Sequence, residues 1–275
     1  MTALYLTLLL LALAAWRKTR PFAIMFLPWF LFGIVYDSMR FYPNYLVNDI
    51  NVEGLYQAEK SFFGMDATTP AEQAAVADHT QSMTPGEYFQ VHNCPAADFM
   101  AGLFYLCWVP VPIAFAVYLY VTRQKKWFLR FSWTFLVVNL LGFIGYYLQP
   151  AAPPWYVMNY GFEPILNTPG NVAGLGRFDS MTGLPVFHAL YAKNANVFAA
   201  VPSLHAAYML VTTIYAVIMR KHRTVIGLFA FICIGIWWTA VYSGHHYIID
   251  VLLGILTALA GTALMEGLFT KWSKK

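Results

Sequence analysis

Long apolar segments alternate with short polar ones along most of this chain. A helix needs about 17 to 25 mostly apolar residues to cross a bilayer. Four segments fit that length well, namely Phe99 to Tyr120, Phe128 to Leu148, Thr224 to Val241 and Tyr247 to Phe269. A fifth, Leu204 to Met219, fits if the residues just before it lie in the membrane interface. The pattern therefore predicts an all-α fold, a polytopic bundle of membrane helices.

The first two apolar segments, Thr2 to Trp16 and Phe22 to Tyr36, are shorter than the others. Counting both as spans gives seven crossings, although a hairpin that enters only one leaflet would produce the same pattern. The polar segment that follows begins with a mixture of aromatic, aliphatic and acidic residues, which is typical of helices lying on a membrane surface. We expect one integral membrane domain, 1–275, which divides into an N-terminal span pair, an outer loop with interfacial helices and a core: 1–43, 44–97 and 98–275.

Composition agrees with a membrane protein, because 59% of the residues are hydrophobic and only 11% are charged, whereas soluble domains carry about 25% charged residues. Of the 17 Lys and Arg residues, 13 lie in four short segments, 17–20, 123–130, 220–223 and 271–275. The positive-inside rule places such segments in the cytoplasm. Seven spans with the N-terminus outside and the C-terminus inside satisfy the rule, and among the acidic residues only Glu266 falls away from the outer side. The net charge of +4 therefore reflects topology, and no nucleic-acid partner is expected.

Two adjacent histidines and a carboxylate stand at the start of the last span, where ionisable groups are costly unless they have a function. His246 and Asp250 are four residues apart, so a helix places them on one face, whereas the same spacing pairs His245 with Ile249. A carboxylate that holds one ring nitrogen leaves the other free to act as a nucleophile or a general base. A polar pair that merely joins two helices is the alternative interpretation.

A third histidine, His205, begins the fifth predicted span in the run Val201-Pro202-Ser203-Leu204-His205. The predicted topology places His205 and His246 at the same depth on the outer face. Both spans run from outside to inside, so both helix N-termini point there, where a phosphate would be stabilised. Ser203 could cap its helix or donate a hydrogen bond to an oxyanion. The sequence therefore predicts a phosphate-handling site at this surface.

The second outer loop offers a phosphate ligand. A segment rich in glycine, proline and asparagine, 167–176, allows close backbone approach to a ligand and leads into Arg177 and Asp179. Cations are scarce on the outer face, where the others are Arg40, Lys60 and Lys193. Arg177 is therefore the leading candidate for binding phosphate. The alternative is an ion pair with Asp179 or another surface partner.

Four motifs in this order resemble those of the inositol phosphorylceramide synthases, the aureobasidin-sensitive type and its bacterial relatives, within the phosphatidic acid phosphatase type 2 superfamily. The motifs are Gln149 to Tyr156, Ala173 to Asp179, Val201 to His205 and His245 to Asp250. The N-terminal half is similar to that family more loosely, through Glu59-Lys60, Phe63-Gly64, Thr84-Pro85 and Glu87-Tyr88-Phe89.

This resemblance implies a six-helix core like that of the lipid phosphatases, with His246 as nucleophile, Asp250 as its orienting partner and His205 as acid and base. It also implies transfer of a phosphorylated head group, inositol phosphate from phosphatidylinositol above all, to ceramide or dihydroceramide with release of diacylglycerol. Membrane lipids are the expected partners, and no cofactor or metal is expected. The candidate substrate-binding residues are Arg177, Ser203, Asp179, Trp155 and Tyr156.

The chain also departs from the superfamily's phosphatases. Thr239 and Ala240 stand where those enzymes carry a Ser-Arg pair, and their upstream Lys and Arg-Pro are absent near Pro150. Two alternatives remain open, namely a lipid phosphate phosphatase that uses water as acceptor and a non-catalytic lipid-binding or transport protein. We expect the site to face the periplasm across a bacterial inner membrane, or the lumen of a secretory-pathway membrane.

Overall fold

The computed structural model describes residues 2–192 and 196–272, and most of these residues are helical. The helices are α1 Thr2–Ala15, α2 Arg20–Ser38, α3 Glu53–Phe63, α4 Pro70–Ala75, α5 Pro85–Val91, α6 Pro95–Tyr105, α7 Pro110–Val121, α8 Lys125–Leu148, α9 Pro154–Tyr160, α10 Gly176–Thr182, α11 Val186–Tyr191, α12 Leu204–Ile218, α13 Arg223–Tyr242 and α14 Ile248–Trp272. Three short 3-10 helices span Met39–Phe41, Asn44–Leu46 and Ala173–Leu175. Two-residue strands β1, Met65–Asp66, and β2, Ser82–Met83, pair antiparallel in the first outer loop.

Within the described residues, five helical segments are long and apolar enough to cross a membrane, and α1 and α12 are shorter apolar helices. They fall on the seven predicted segments, so the prediction of an all-α membrane bundle is confirmed. The chain is an integral membrane protein. One predicted span, Phe99 to Tyr120, needs correction because it consists of two helices, α6 and α7. Pro110, which lacks an N–H group and disfavours helix in the residue before it, begins the second helix.

Small residues allow the helices that carry the histidines to approach closely. A Cβ on Gly254 of α14 would lie 2.1 Å from the carbonyl oxygen of Ser203, which caps α12. On α8, Gly142 and Gly145 receive the side chains of Leu204 and Pro202 in the same way. Such close contacts between backbones are typical of membrane helix packing. They bring the N-termini of α12 and α14 together.

The polar residues within the bundle have partners. Arg130 of α8 forms an ion pair with Glu266 of α14, and the Tyr215 hydroxyl donates to Glu266 Oε1 at 2.7 Å. Pairing offsets the cost of placing a charge inside a membrane protein. This pairing explains why Glu266 is the one acidic residue that departs from the predicted distribution of charge.

Backbone hydrogen bonds join three outer segments behind the site. The Asn51 N–H donates to Pro150 O at 2.7 Å, and the Ala151 N–H donates to Phe198 O at 2.9 Å. The Asn44 side chain donates to the backbone oxygens of Tyr146 and Phe198. The proline-rich exit of α8 and the segment leading into α12 are therefore held together.

Candidate active site

Two histidines from different helices meet at the outer ends of α12 and α14. Nδ1 of His205 lies 2.9 Å from Nε2 of His246. Ser203 caps α12, and its hydroxyl accepts the N–H of Ala206 at 3.4 Å. The Ser203 N–H donates in turn to the backbone oxygen of Asp250 at 3.0 Å. The cap of one histidine-bearing helix is thus bonded to the first turn of the other.

Asp250 orients His246. Its Oδ2 lies 3.3 Å from His246 Nδ1 and also accepts the Tyr247 N–H at 2.9 Å. The carboxylate assigns the proton of His246 to Nδ1, which leaves a lone pair on Nε2. Burial away from water lowers the pKa of His246 to about 3, so the imidazole is neutral at physiological pH. A neutral imidazole with a free Nε2 is a competent nucleophile.

The neighbouring His245 has a different environment. Its Nδ1 lies 2.9 Å from the Ser243 hydroxyl, and its ring packs 4.4 Å from that of Tyr191. The structure therefore places His246, and not His245, between Asp250 and the third histidine.

Aromatic rings surround His205 at the base of the site. The Trp108 ring centroid lies 4.4 Å from that of His205, and the Tyr105 ring stacks on it at 5.1 Å. These rings fix the orientation of the imidazole and limit access of water. Trp108 lies at the break between α6 and α7, so this irregular segment shapes the site.

A glutamate that the sequence reasoning did not select supports the helix of the nucleophile. Glu59 of α3 is buried, and its Oε1 and Oε2 accept the N–H groups of Ile248 and Ile249 at 2.8 and 3.1 Å. These are the first N–H groups of α14, which have no partner within the helix. Its only sequence signal was the Glu59-Lys60 pair in the looser resemblance.

Arg177 lies against the turn that precedes the two adjacent histidines. Its Nε donates to Asp98 Oδ1 at 2.6 Å, and its guanidinium lies 5.2 Å from the Tyr242 ring centroid. A Cβ on Gly174 would lie 2.8 Å from Cα of Ser243 and 2.9 Å from Nη2 of Arg177. Only glycine permits this approach. Nη2 is buried and has no hydrogen-bond partner among the described residues.

The remaining candidate residues lie around this centre. Asp179 does not pair with Arg177, because its two oxygens accept the N–H groups of Phe187 and His188, and Oδ2 also contacts His188 Nδ1 at 2.7 Å. It therefore caps α11. Tyr156 is buried and bonds through its hydroxyl to the segment after α9, accepting the Ile165 N–H at 2.6 Å.

Trp155 lies nearer the centre, because its N–H donates to Gly244 O at 2.9 Å. Lys193, one of the scarce outer cations, lies outside the described residues. Within 2–192 and 196–272, no group of three or more His, Cys, Asp or Glu side chains could hold a metal ion.

The family model of the PAP2 superfamily matches residues 74–264, which include both histidine-bearing helices. The chain belongs to this superfamily.

The chain is similar to three curated relatives. It is 57% identical over 266 residues to the phosphoinositol dihydroceramide synthase of Bacteroides thetaiotaomicron, a match that covers 97% of this chain and 82% of the relative. It is 27% identical to the inositol phosphorylceramide synthase of Candida albicans, over 61% of this chain and 39% of that protein. It is 28% identical to the catalytic subunit of that synthase in Saccharomyces cerevisiae, over 54% and 39%. No solved structure is significantly similar to the chain.

Proposed function

We propose that this protein transfers inositol phosphate from phosphatidylinositol to dihydroceramide or ceramide through a phosphohistidine on His246. The observation that carries the chemistry is the series Asp250, His246, His205, joined by contacts of 3.3 and 2.9 Å. The names of the similar synthases, the Bacteroides protein above all, support the choice of donor and acceptor.

In the first step, Nε2 of His246 attacks the phosphorus of the donor. The two imidazoles are in direct contact, so they separate when the phosphodiester binds between them. A P–N bond forms and the P–O bond to diacylglycerol breaks. His205, held as imidazolium by the phosphate anion, protonates the departing oxygen, which typically accelerates such a step by about 10²- to 10⁴-fold. Asp250 stabilises the positive charge that develops on His246.

In the second step, the acceptor lipid replaces diacylglycerol. His205 is now neutral and removes the proton from the primary hydroxyl of dihydroceramide or ceramide. That oxygen attacks phosphorus, the P–N bond breaks, and the phosphoinositol lipid leaves with His246 regenerated. The proton given up in the first step is thus recovered in the second.

Arg177 and the N-termini of α12 and α14 stabilise the phosphate. The superfamily arginine is replaced by Ala240, and Arg177 approaches the same turn from another loop through Gly174. Its buried Nη2 supports this assignment, since a phosphate oxygen would give it a partner. The helix N-termini add partial positive charge.

The site faces the side of the membrane opposite the four basic segments, with the N-terminus outside and the C-terminus in the cytoplasm. The positive-inside pattern supports this orientation. Cysteines introduced at exposed positions of 44–97 would then react with a membrane-impermeant maleimide in intact cells. Labelling only after permeabilisation would reverse the orientation.

The function is tested by supplying the purified protein with phosphatidylinositol, with and without dihydroceramide, and measuring lipid products by mass spectrometry. We expect phosphoinositol dihydroceramide and diacylglycerol in equal amounts. Rapid release of inositol phosphate that is unaffected by dihydroceramide would instead identify a phosphatase. Binding of lipids without any product would identify a lipid-binding or transport protein.

A further inference from the structure

A small polar cavity lies on the outer side of the turn that carries the two adjacent histidines. Its volume is about 300 Å³, and its lining includes Gln90 of α5, Trp155 and Asn159 of α9, and Asn171 and Gly174 of the second outer loop. Ligand pockets have volumes of roughly 300 to 1,000 Å³, so this one suits a small ligand. We propose that this cavity binds the inositol ring of the donor, an assignment that rests on the proposed function.

The cavity adjoins the catalytic turn through the backbone. The N–H of Trp155 donates to Gly244 O, and the N–H of Gly174 donates to Ser243 O, both at 2.9 Å. A Cβ on Gly244, whose φ is +75°, would lie 3.4 Å from Nε2 of Gln90. His246 follows Gly244 by two residues, which corresponds to at most about 7 Å along the chain. A head group whose phosphorus is on His246 can therefore extend into the cavity.

The chemistry of the lining fits a neutral polyol. Gln90, Asn159 and Asn171 contribute three carboxamides, each of which can donate and accept hydrogen bonds. Hydroxyl groups on adjacent ring carbons need both. None of the residues lining the cavity is acidic or basic, so it offers no counter-ion to the ammonium of an ethanolamine or choline head group.

A single cation stands at the edge of this neutral cavity. Nη1 of Arg177 donates to Oε1 of Gln90 at 3.4 Å, and its Nη2 is the buried donor that has no protein partner. The cavity and its border therefore combine uncharged amides with one guanidinium. That combination matches a neutral ring that carries one phosphate.

Two substitutions test the cavity without touching the histidines or Arg177. Asn159→Leu keeps the shape of an exposed side chain and removes its amide. Asn171→Asp keeps the oxygen that accepts the Ala173 N–H at 2.7 Å, but removes the amide donor and adds a negative charge. Gln81→Leu is the control, because Gln81 is an exposed amide on the outer loop that does not line the cavity.

The measurement is inhibition of transfer by soluble inositol 1-phosphate and by glycerol 1-phosphate, together with the KM for phosphatidylinositol. In the unmodified protein we expect inositol phosphate to inhibit at about tenfold lower concentration than glycerol phosphate, because it makes more hydrogen bonds. In each cavity variant this ratio should approach one and the KM should rise about tenfold, while Gln81→Leu keeps both values.

Cavity variants that keep the unmodified KM and inhibitor preference, in a protein that transfers the head group, would overturn the cavity assignment alone. An unmodified protein that transfers no head group from phosphatidylinositol would instead overturn the proposed function, and this assignment with it.

Discussion

Nε2 of His246 lies 2.9 Å from Nδ1 of His205, although 41 residues separate the two histidines along the chain. The contact exists because α12 and α14 begin at the same level and their backbones touch where Ser203 meets Gly254. Asp250 completes the series from the first turn of α14. Both imidazoles therefore lie where two helix N-termini favour a phosphate.

Replacing either histidine separates the two proposed roles. His246→Ala should abolish transfer, because no other group takes the phosphoryl. His205→Gln should retain the nucleophile but slow transfer by about 10²- to 10⁴-fold, the usual contribution of acid and base catalysis. Incubation with phosphatidylinositol labelled in the phosphate, without an acceptor, should yield labelled protein that is acid-labile and stable to alkali.

The control is His245→Gln, which changes the adjacent histidine that contacts Ser243. It should still form the labelled adduct. Labelling that persists in His246→Ala would show that the phosphoryl group is carried elsewhere.

The membrane spans and the approach of His205 to His246 could be predicted because both depend on local pattern. Apolar length defines the spans, and the distribution of Lys and Arg assigns each helix end to a side of the membrane. Two histidines at outer helix ends must then share one surface. The spacing of four residues was enough to select the partner of Asp250.

Contacts between distant outer segments could not be predicted, because no local pattern records them. Glu59 and Ile248 are 189 residues apart, and Arg177 and Asp98 are 79 apart. A buried carboxylate that caps another helix looks in the sequence like any acidic loop residue. Asp179 likewise follows the glycine-rich segment, yet its carboxylate is used by α11.

The close approach of α14 to α12 should depend on Gly254. A methyl group there would lie 2.1 Å from the Ser203 carbonyl oxygen, so the helices must move apart. Overpacking of this kind costs about 1 to 3 kcal/mol, and a displacement of about 1 Å at a catalytic group can reduce the rate about 10²-fold. Gly254→Ala should therefore lower the transfer rate strongly in a protein that still inserts and folds.

Gly267→Ala is the matched control on the same helix, because a Cβ there meets nothing within 4 Å. It should leave the rate unchanged and slightly raise the thermal stability, since alanine favours helix over glycine. Equal rates in the two variants would show that the helix contact does not set the geometry of the site.

Arg177 should affect phosphate binding more than folding. We expect Arg177→Ala to reduce kcat/KM for the donor by about 10²-fold, the effect of removing a hydrogen-bonded charge. Arg177→Lys should recover only part of the loss, because lysine cannot contact Asp98 and a phosphate with the same planar geometry. Arg40→Ala removes another outer arginine, ion-paired with Asp37 at 2.8 Å, and should leave kcat/KM near normal. Similar losses in both variants would indicate a general effect of charge.

Glu59 should make the stability of the protein dependent on pH. Burial raises the pKa of Glu59 to about 7, although the N–H groups of Ile248 and Ile249 partly oppose this shift. Between the ordinary carboxyl pKa of 4.5 and this value, the folded protein binds more protons at Glu59 than the unfolded chain does. The free energy of unfolding must therefore decrease as pH rises through this range.

In Glu59→Gln the titrating group is absent, so the wild-type protein should lose stability relative to this variant as the pH is raised from 5 to 8. The expected change is at most about 3 kcal/mol, since each pKa unit corresponds to about 1.4 kcal/mol. Thermal unfolding in detergent across this range measures it. Glu53→Gln, at an exposed position on the same helix, should follow the wild-type pH profile. If Glu59→Gln also followed that profile, the carboxylate at the start of α14 would remain ionised throughout this range, and its hydrogen bonds with α14 would outweigh its burial.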